Sequence, residues 1–210
     1  MTRVFLAFSL AASVFLSFAC VQKGGNTTTV DTGNTIRIGV YGDTTGATSS
    51  FGVSTKNGIE LAFSEINAAG GVNGKKLEMV FEDDQGSPEK AKTVISKLIN
   101  QDKVVAVLGE VASSNSLAAA PVAQEAKIPM ITPSSTNPKV TEVGDYISRV
   151  CFIDPFQGSV MAKFAVNTLN AKTAAVLGDN SSDYSKGLTQ FFEQEFVKLG
   201  GTVITKQTYA

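Results

Sequence analysis

Short apolar runs that alternate with amphipathic stretches constrain this chain more than any other feature. Residues 36–40 (IRIGV), 76–82, 104–109 (VVAVLG), 129–131, 146–150, 173–178 (TAAVLG) and 202–208 have the length and β-branched content of strands. Between them, apolar side chains recur at helical spacing: Ile59, Ala62, Phe63 and Ile66, then Ala91, Val94, Ile95 and Leu98, then Phe156, Val160 and Phe164, then Leu188, Phe191, Phe192 and Leu199. Strands separated by helices pair in parallel through crossovers, so the expected class is α/β with doubly wound parallel sheets. The punctuation agrees. Gly70-Gly71 and Gly200-Gly201 stop helices, and Ser87-Pro88 starts one as cap and first residue. Asp154 is expected to cap another, with Pro155 and Gln157 behind it. Pro121 removes a donor inside the third helix and predicts a kink or a late start.

Two of the strands run into loops of small hydroxyl residues. Residues 104–109 open into Ala112-Ser113-Ser114-Asn115 and a helix; residues 129–131 open into Thr132-Pro133-Ser134-Ser135-Thr136-Asn137-Pro138. Ser, Thr and Asn serve as caps and turns wherever they occur. Two such loops in adjacent βα units favour a site, because open α/β sheets bind ligands beyond the carboxyl ends of their strands. Neither loop holds Arg or Lys, so a carboxylate here would be met by neutral donors and a helix N-terminus.

Other chemistries are thinly represented. The 210 residues include no His, which removes Ser-His-Asp and Cys-His catalysis and the commonest transition-metal ligand. No nucleophile with a positioned base is visible, so an enzyme is not expected. Gly39 and Gly42 lack the third glycine of a dinucleotide fingerprint. Asp83, Asp84 and Glu89 fail the spacing of a calcium loop and are expected to form a solvated acidic loop. No cofactor or metal is expected. A net charge of −1 offers no surface for nucleic acid or an anionic membrane. Cys151 is expected as a small buried residue, and Phe191, Phe192 and Phe196 as core.

Residues 1–19 carry Arg3, an apolar run over 4–18 and small residues ahead of Cys20, the pattern of a secretory signal peptide. Ser17-Phe18-Ala19 satisfies ordinary signal cleavage, while Cys20 at the new N-terminus also resembles a bacterial lipobox. Lipidation of Cys20 is the favoured reading, since a lone Cys there otherwise has little purpose. Residues 20–34 are Gly/Thr/Asn-rich and are expected to be a flexible tether. Residues 35–153 then form a first α/β lobe and 154–210 the start of a second. From Asp154 onward there is one complete βαβ unit, too small to cover both faces of its own sheet, so the sequence is expected to be a fragment.

The segments IRIGVYGDTTG, GIELAFSEINAAGGVNGKKLEMVFEDDQGSPEKA, GEVASSNSLAAAPVAQEAKIPMITPSSTNP and DYSKG together resemble the periplasmic leucine/isoleucine/valine-type binding proteins, receptors of ABC importers with the type I periplasmic binding fold. The resemblance implies two lobes that close on a small amino acid, with branched-chain side chains first among the candidates, and permease subunits as partners. It implies an exported protein, periplasmic or on the outer face of the cytoplasmic membrane, held there only by a lipid on Cys20. Ser113 matches a residue whose hydroxyl and backbone bind the ligand carboxylate; Ser134, Ser135 and Thr136 match a segment that binds both carboxylate and ammonium. Phe51 and Tyr184 match aromatics at the mouth of the two lobes, although Phe51 serves equally well as a staple at a helix start. The acidic partner of the ammonium is expected outside this sequence. The cysteine pair of some relatives is missing, with Gln85-Gly86 and Ala112 in its neighbourhood. The alternative of another class is the sensing domain of a signalling receptor with the same fold.

Overall fold

The computed structural model describes residues 33–210, so the signal peptide, Cys20 and nearly all of the tether lie outside the described residues. In chain order the elements are β1 (Thr35–Gly42), α1 (Ser49–Ala68), β2 (Lys76–Asp83), α2 (Pro88–Asn100), β3 (Ala106–Leu108), α3 (Ser113–Ala126), β4 (Met130–Thr132), the short α4 (Lys139–Glu142), β5 (Ile147–Arg149), α5 (Asp154–Lys163), β6 (Thr173–Asp179), α6 (Asp183–Lys198) and β7 (Thr202–Tyr209). A π-helical turn, Phe164–Thr168, extends α5. The first five strands form one parallel sheet in the order β2-β1-β3-β4-β5, and β6 pairs with β7 in a second parallel sheet. The expected α/β class with doubly wound parallel sheets is what is found.

The core of the five-stranded sheet lies under α2 and α3. Ile95 and Leu98 of α2, Ala119, Ala120 and Ala123 of α3, Val107 of β3 and Met130 of β4 are fully buried together. Gly39 makes this approach possible: a Cβ there would stand 3.2 Å from both Leu98 and Val104. Register carries the core across the strands, placing Val107 beside Met130 and Met130 beside Ile147. The opposite face is covered less. Ile59 and Phe63 of α1 are half-buried, while Ala62 and Ile66 of the same expected face are exposed, as are Val105 and Ile131 on the strands.

Several expectations are corrected. α3 begins at Ser113 and passes through Pro121, so the helix does not start late, and Pro121 is exposed. The cap position of α5 is Ile153, and Asp154 is the first helical residue, with no capping bond from its side chain. Phe156, Val160 and Phe164 are exposed; α5 instead buries Gly158 and Ala162. The reason is close helix contact, since a Cβ on Gly158 would fall 2.7 Å from the backbone of Phe192 in α6. Phe196 is fully buried, as expected, and stacks on Phe192 with ring centroids 5.3 Å apart. Cys151 is only half-buried. The acidic loop is not uniformly solvated: Asp84 is 0% exposed.

Candidate functional site

The two hydroxyl loops come together where β3 and β4 end, side by side in the sheet. They are knitted to one another by their own hydroxyls. The Glu110 carbonyl accepts from Ser116 Oγ (3.2 Å), Thr132 Oγ1 (2.5 Å) and Ser135 Oγ (3.0 Å). Ser134 Oγ donates to the Val111 carbonyl at 3.1 Å, and Ser116 and Ser135 share a 2.7 Å hydroxyl contact. Ser135 is thus turned inward, where its side chain holds the loop. Its contribution to any ligand is through backbone groups.

Ser113 and Thr136 differ from that pair. Ser113 stands at the first position of α3, 2% exposed, and its Oγ accepts from Asn137 N at 3.2 Å, which leaves its hydroxyl proton to give. Ala112 precedes it with no capping side chain, so no side chain competes for the first-turn N–H groups of α3. Thr136 is 6% exposed and its Oγ1 has no hydrogen-bond partner among the described residues. Ser114 Oγ and Asn137 Nδ2 bond to the two sides of the Asp183 backbone, N at 2.9 Å and O at 2.9 Å, which docks the start of α6 beside the loops. Tyr184 follows on α6, 38% exposed, and its hydroxyl accepts from Gln157 Nε2 at 3.0 Å. Phe51 sits on the first turn of α1, 63% exposed and in no ring contact with another aromatic side chain among the described residues. The structure therefore gathers Ser113, Ser134, Ser135, Thr136 and the start of α6 into one neighbourhood. Phe51 comes from a separate element, the first turn of α1.

Three residues of this neighbourhood were not among the site residues expected from the sequence. Arg149, at the end of β5, donates to the carbonyls of Ser135 (2.5 Å), Asn137 (2.9 Å) and Pro138 (3.1 Å) and to Thr141 Oγ1 (2.8 Å). One guanidinium thereby fixes the whole second loop, a use of its fork of donors that Lys would not reproduce. Asp154 donates its backbone N–H to the Thr136 carbonyl at 3.0 Å, and its carboxylate is wholly buried. That burial pushes its pKa up, against the Thr136 hydroxyl and the Arg149 charge, which lower it. Glu110 lies beneath the loops at 0% exposure, accepting from Asp43 N at 3.2 Å and from Ala112 N. Burial, with Asp84 nearby, raises Glu110 to about 7; burial likewise raises Asp84 to about 6. The signal that could have exposed Arg149 and Asp154 is their position at the exit of β5 and the entry of α5, where the chain passes from one sheet to the other.

The arrangement can hold a small polar ligand by hydrogen bonds. Among the described residues no group of His, Cys, Asp and Glu could hold a metal ion.

Parallel α/β sheets with neutral donor loops at their strand ends are an arrangement suited to holding a ligand. It belongs to the periplasmic binding protein family, whose model matches residues 35–210. An amino acid binding protein of Pseudomonas aeruginosa is 44% identical over 164 residues, 78% of this chain and 44% of that protein. The substrate-binding protein LivJ of a branched-chain amino acid transporter from Streptococcus pneumoniae, solved with isoleucine, superposes with a TM-score of 0.79 at 35% identity, covering 84% of this chain and 50% of that one. A solute-binding protein of an ABC transporter from Rhodopseudomonas palustris, solved with 3,4-dihydroxybenzoic acid, superposes with a TM-score of 0.76 at 29% identity over 83% of this chain and 47% of that one. The chain spans about half the length of the relatives it matches.

Proposed function

We propose that this sequence is the ligand-gripping part of an extracytoplasmic solute-binding protein that captures a small amino acid, branched-chain before others, for uptake by an ABC transporter. Residues 35–153 act as the first lobe and 154–210 as the beginning of the second. The observation that carries the reading is the pair of adjoining loops whose donors are all neutral. Such donors hold a carboxylate without burying a full positive charge beside it. Ser113 and the first turn of α3 take the carboxylate, and Thr136 with the backbone of Ser134 and Ser135 takes the remaining polar end. Tyr184 and Phe51 flank the side chain. Relatives named as binding proteins, one of them solved with isoleucine, support the amino-acid assignment and support binding without catalysis. In this reading the protein is exported, lies in the periplasm or on the outer face of the cytoplasmic membrane, carries a lipid on Cys20 and delivers its ligand to permease subunits. Relatives named as amino-acid binding and transporter substrate-binding proteins support this reading over the receptor alternative.

The test is a thermal-shift screen of the complete protein against amino acids, amides, sugars, metal salts and 3,4-dihydroxybenzoic acid. Ligand at 100-fold above its Kd stabilises by about 2.7 kcal/mol, a shift of several degrees. Leucine, isoleucine or valine should give it. Stabilisation by sugars or metals alone would refute the assignment, and stabilisation by the aromatic acid alone would move the ligand to that class.

A further inference from the structure

The residues that follow Ser113 and Thr136, one in each hydroxyl loop, both reach the same residue of α6. Asp183 N donates to Ser114 Oγ at 2.9 Å, and Asn137 Nδ2 donates to the Asp183 carbonyl at 2.9 Å. The first bond completes a cap. Ser182 caps α6 from within its own segment by accepting from Ser185 N at 3.2 Å, and the Asp183 N–H lies too early in the helix for an intrahelical partner. A side chain of α3 supplies that partner. The second bond needs Gly187, one turn further along α6, because a Cβ there would fall 3.1 Å from Asn137 Nδ2. Tyr184 is the next residue after Asp183, and its hydroxyl accepts from Gln157 Nε2 of α5 at 3.0 Å. Its backbone is thus fixed through Asp183 and its ring tip through Gln157, while the ring itself stays 38% exposed. An aromatic side chain tethered at both ends has little freedom left to lose when a ligand meets it, which is preorganisation.

We propose that Ser114, Asn137 and Gln157 are positioning residues, which hold the Tyr184 ring beside the hydroxyl loops and so set the preference for amino acids with a large apolar side chain over small ones. The inference rests on the functional reading in which Tyr184 flanks the side chain of an amino acid. The polar ends of leucine and alanine are the same, so the loops grip both alike. Only the side chains differ. A displaced ring costs leucine the apolar contact of its branched end, whereas alanine has a single methyl group to lose. The three residues act through Tyr184, and their effect is therefore read in selectivity as well as in affinity.

The experiment measures affinity for leucine and for alanine by titration calorimetry on the complete protein, with alanine followed by displacement of leucine where it binds weakly. The variants are Ser114→Ala, Asn137→Ser, Gln157→Ala, Tyr184→Ala and Ser114→Ala with Tyr184→Ala. Asn137→Ser keeps an oxygen for the Lys139 N–H, which Asn137 Oδ1 accepts at 3.0 Å. Ser114→Ala and Asn137→Ser should each weaken leucine by about 3- to 10-fold and leave alanine within about twofold of wild type. Gln157→Ala should act in the same direction by less. Gln157 is only half-buried on α5, so this variant carries the test if the other two do not fold. Tyr184→Ala should lower the leucine-to-alanine ratio most, and Ser114→Ala should lower it no further in that background, because both act on the same contact. Equal losses for the two amino acids would make the bonds a structural joint and overturn the proposal. So would an unchanged ratio in all three positioning variants, or a ratio that falls additively in the double variant. Wild-type protein that holds leucine no better than alanine would overturn this inference alone. Wild-type protein that binds no amino acid would refute the functional reading, and this inference with it.

Discussion

Residues 35–149 and residues 154–210 are built from the same strand–helix alternation, yet they bury their apolar side chains to different extents. In the first region β1 has strands on both edges and α2 and α3 cover one face, so Ile95, Leu98, Val107 and Met130 reach 0% exposure. In the second, two strands share one edge and α5 packs on α6 through Gly158 and Gly187. Phe196 is the one large apolar side chain fully buried there, while Leu177, Ile204 and Val197 are 70%, 65% and 57% exposed. Parallel sheets are ordinarily covered on both faces. On the proposed function, stability and ligand grip fall in the same place: the hydroxyl loops grow from the sheet that has its own core.

The widest separation between the regions should come from truncating apolar side chains. Leu98→Ala, at 0% exposure, should cost about 2–5 kcal/mol in denaturant unfolding of the complete protein. Ile204→Ala, at 65% exposure, should stay within about 0.5 kcal/mol. Similar costs at the two sites would erase the contrast.

Next in size is the grip itself. Ser113→Ala should weaken amino-acid binding by roughly 10- to 150-fold in calorimetry, the worth of a hydrogen bond to a charged group, with unfolding little changed. An unchanged affinity would return Ser113 to the role of an anchor for Asn137 N alone.

A third test uses pH and touches only the first region. Glu110 and Asp84 are raised to about 7 and about 6 in the fold, so they hold protons where unfolded carboxyls have lost them. Their stabilisation is whole below about pH 4 and disappears as pH rises through 6 to 7, as a coupled pair. Asp43 and Asp83 are lowered by hydrogen bonds from Thr48 and Thr44 and act in the opposite sense, in a window below about pH 4. Urea midpoints should therefore fall between pH 5 and 8 by the equivalent of roughly 1–3 kcal/mol. Glu110→Gln should flatten that slope. A midpoint rising over the same range would show that the pair is not held as the geometry implies.

Much of this was legible in the chain, and the parts that were not share a physical cause. Strand and helix periodicity gave every major element, and the composition of residues 112–115 and 132–138 located the loops. What periodicity cannot give is which face finds a neighbour. Phe156, Val160 and Phe164 lie on one helical stripe, yet glycine-mediated contact with α6 turned that stripe outward. Nor does a run such as Ser134-Ser135-Thr136 say which hydroxyl points in; Ser135 bonds the carbonyls of Glu110 and Val111, far away in sequence, and Thr136 does not. The place of Arg149 and the buried settings of Asp154, Glu110 and Asp84 escaped for the same reason, because their partners are brought to them only by the fold.

A crystal structure of the complete protein with leucine bound tests the central claim most directly, namely that the better-packed region holds the charged end of an amino acid with neutral groups. The account predicts the carboxylate at Ser113 and the first-turn N–H groups of α3, with the ammonium beside Thr136 Oγ1. A carboxylate held by a Lys or Arg, or turned toward Thr136, would contradict it.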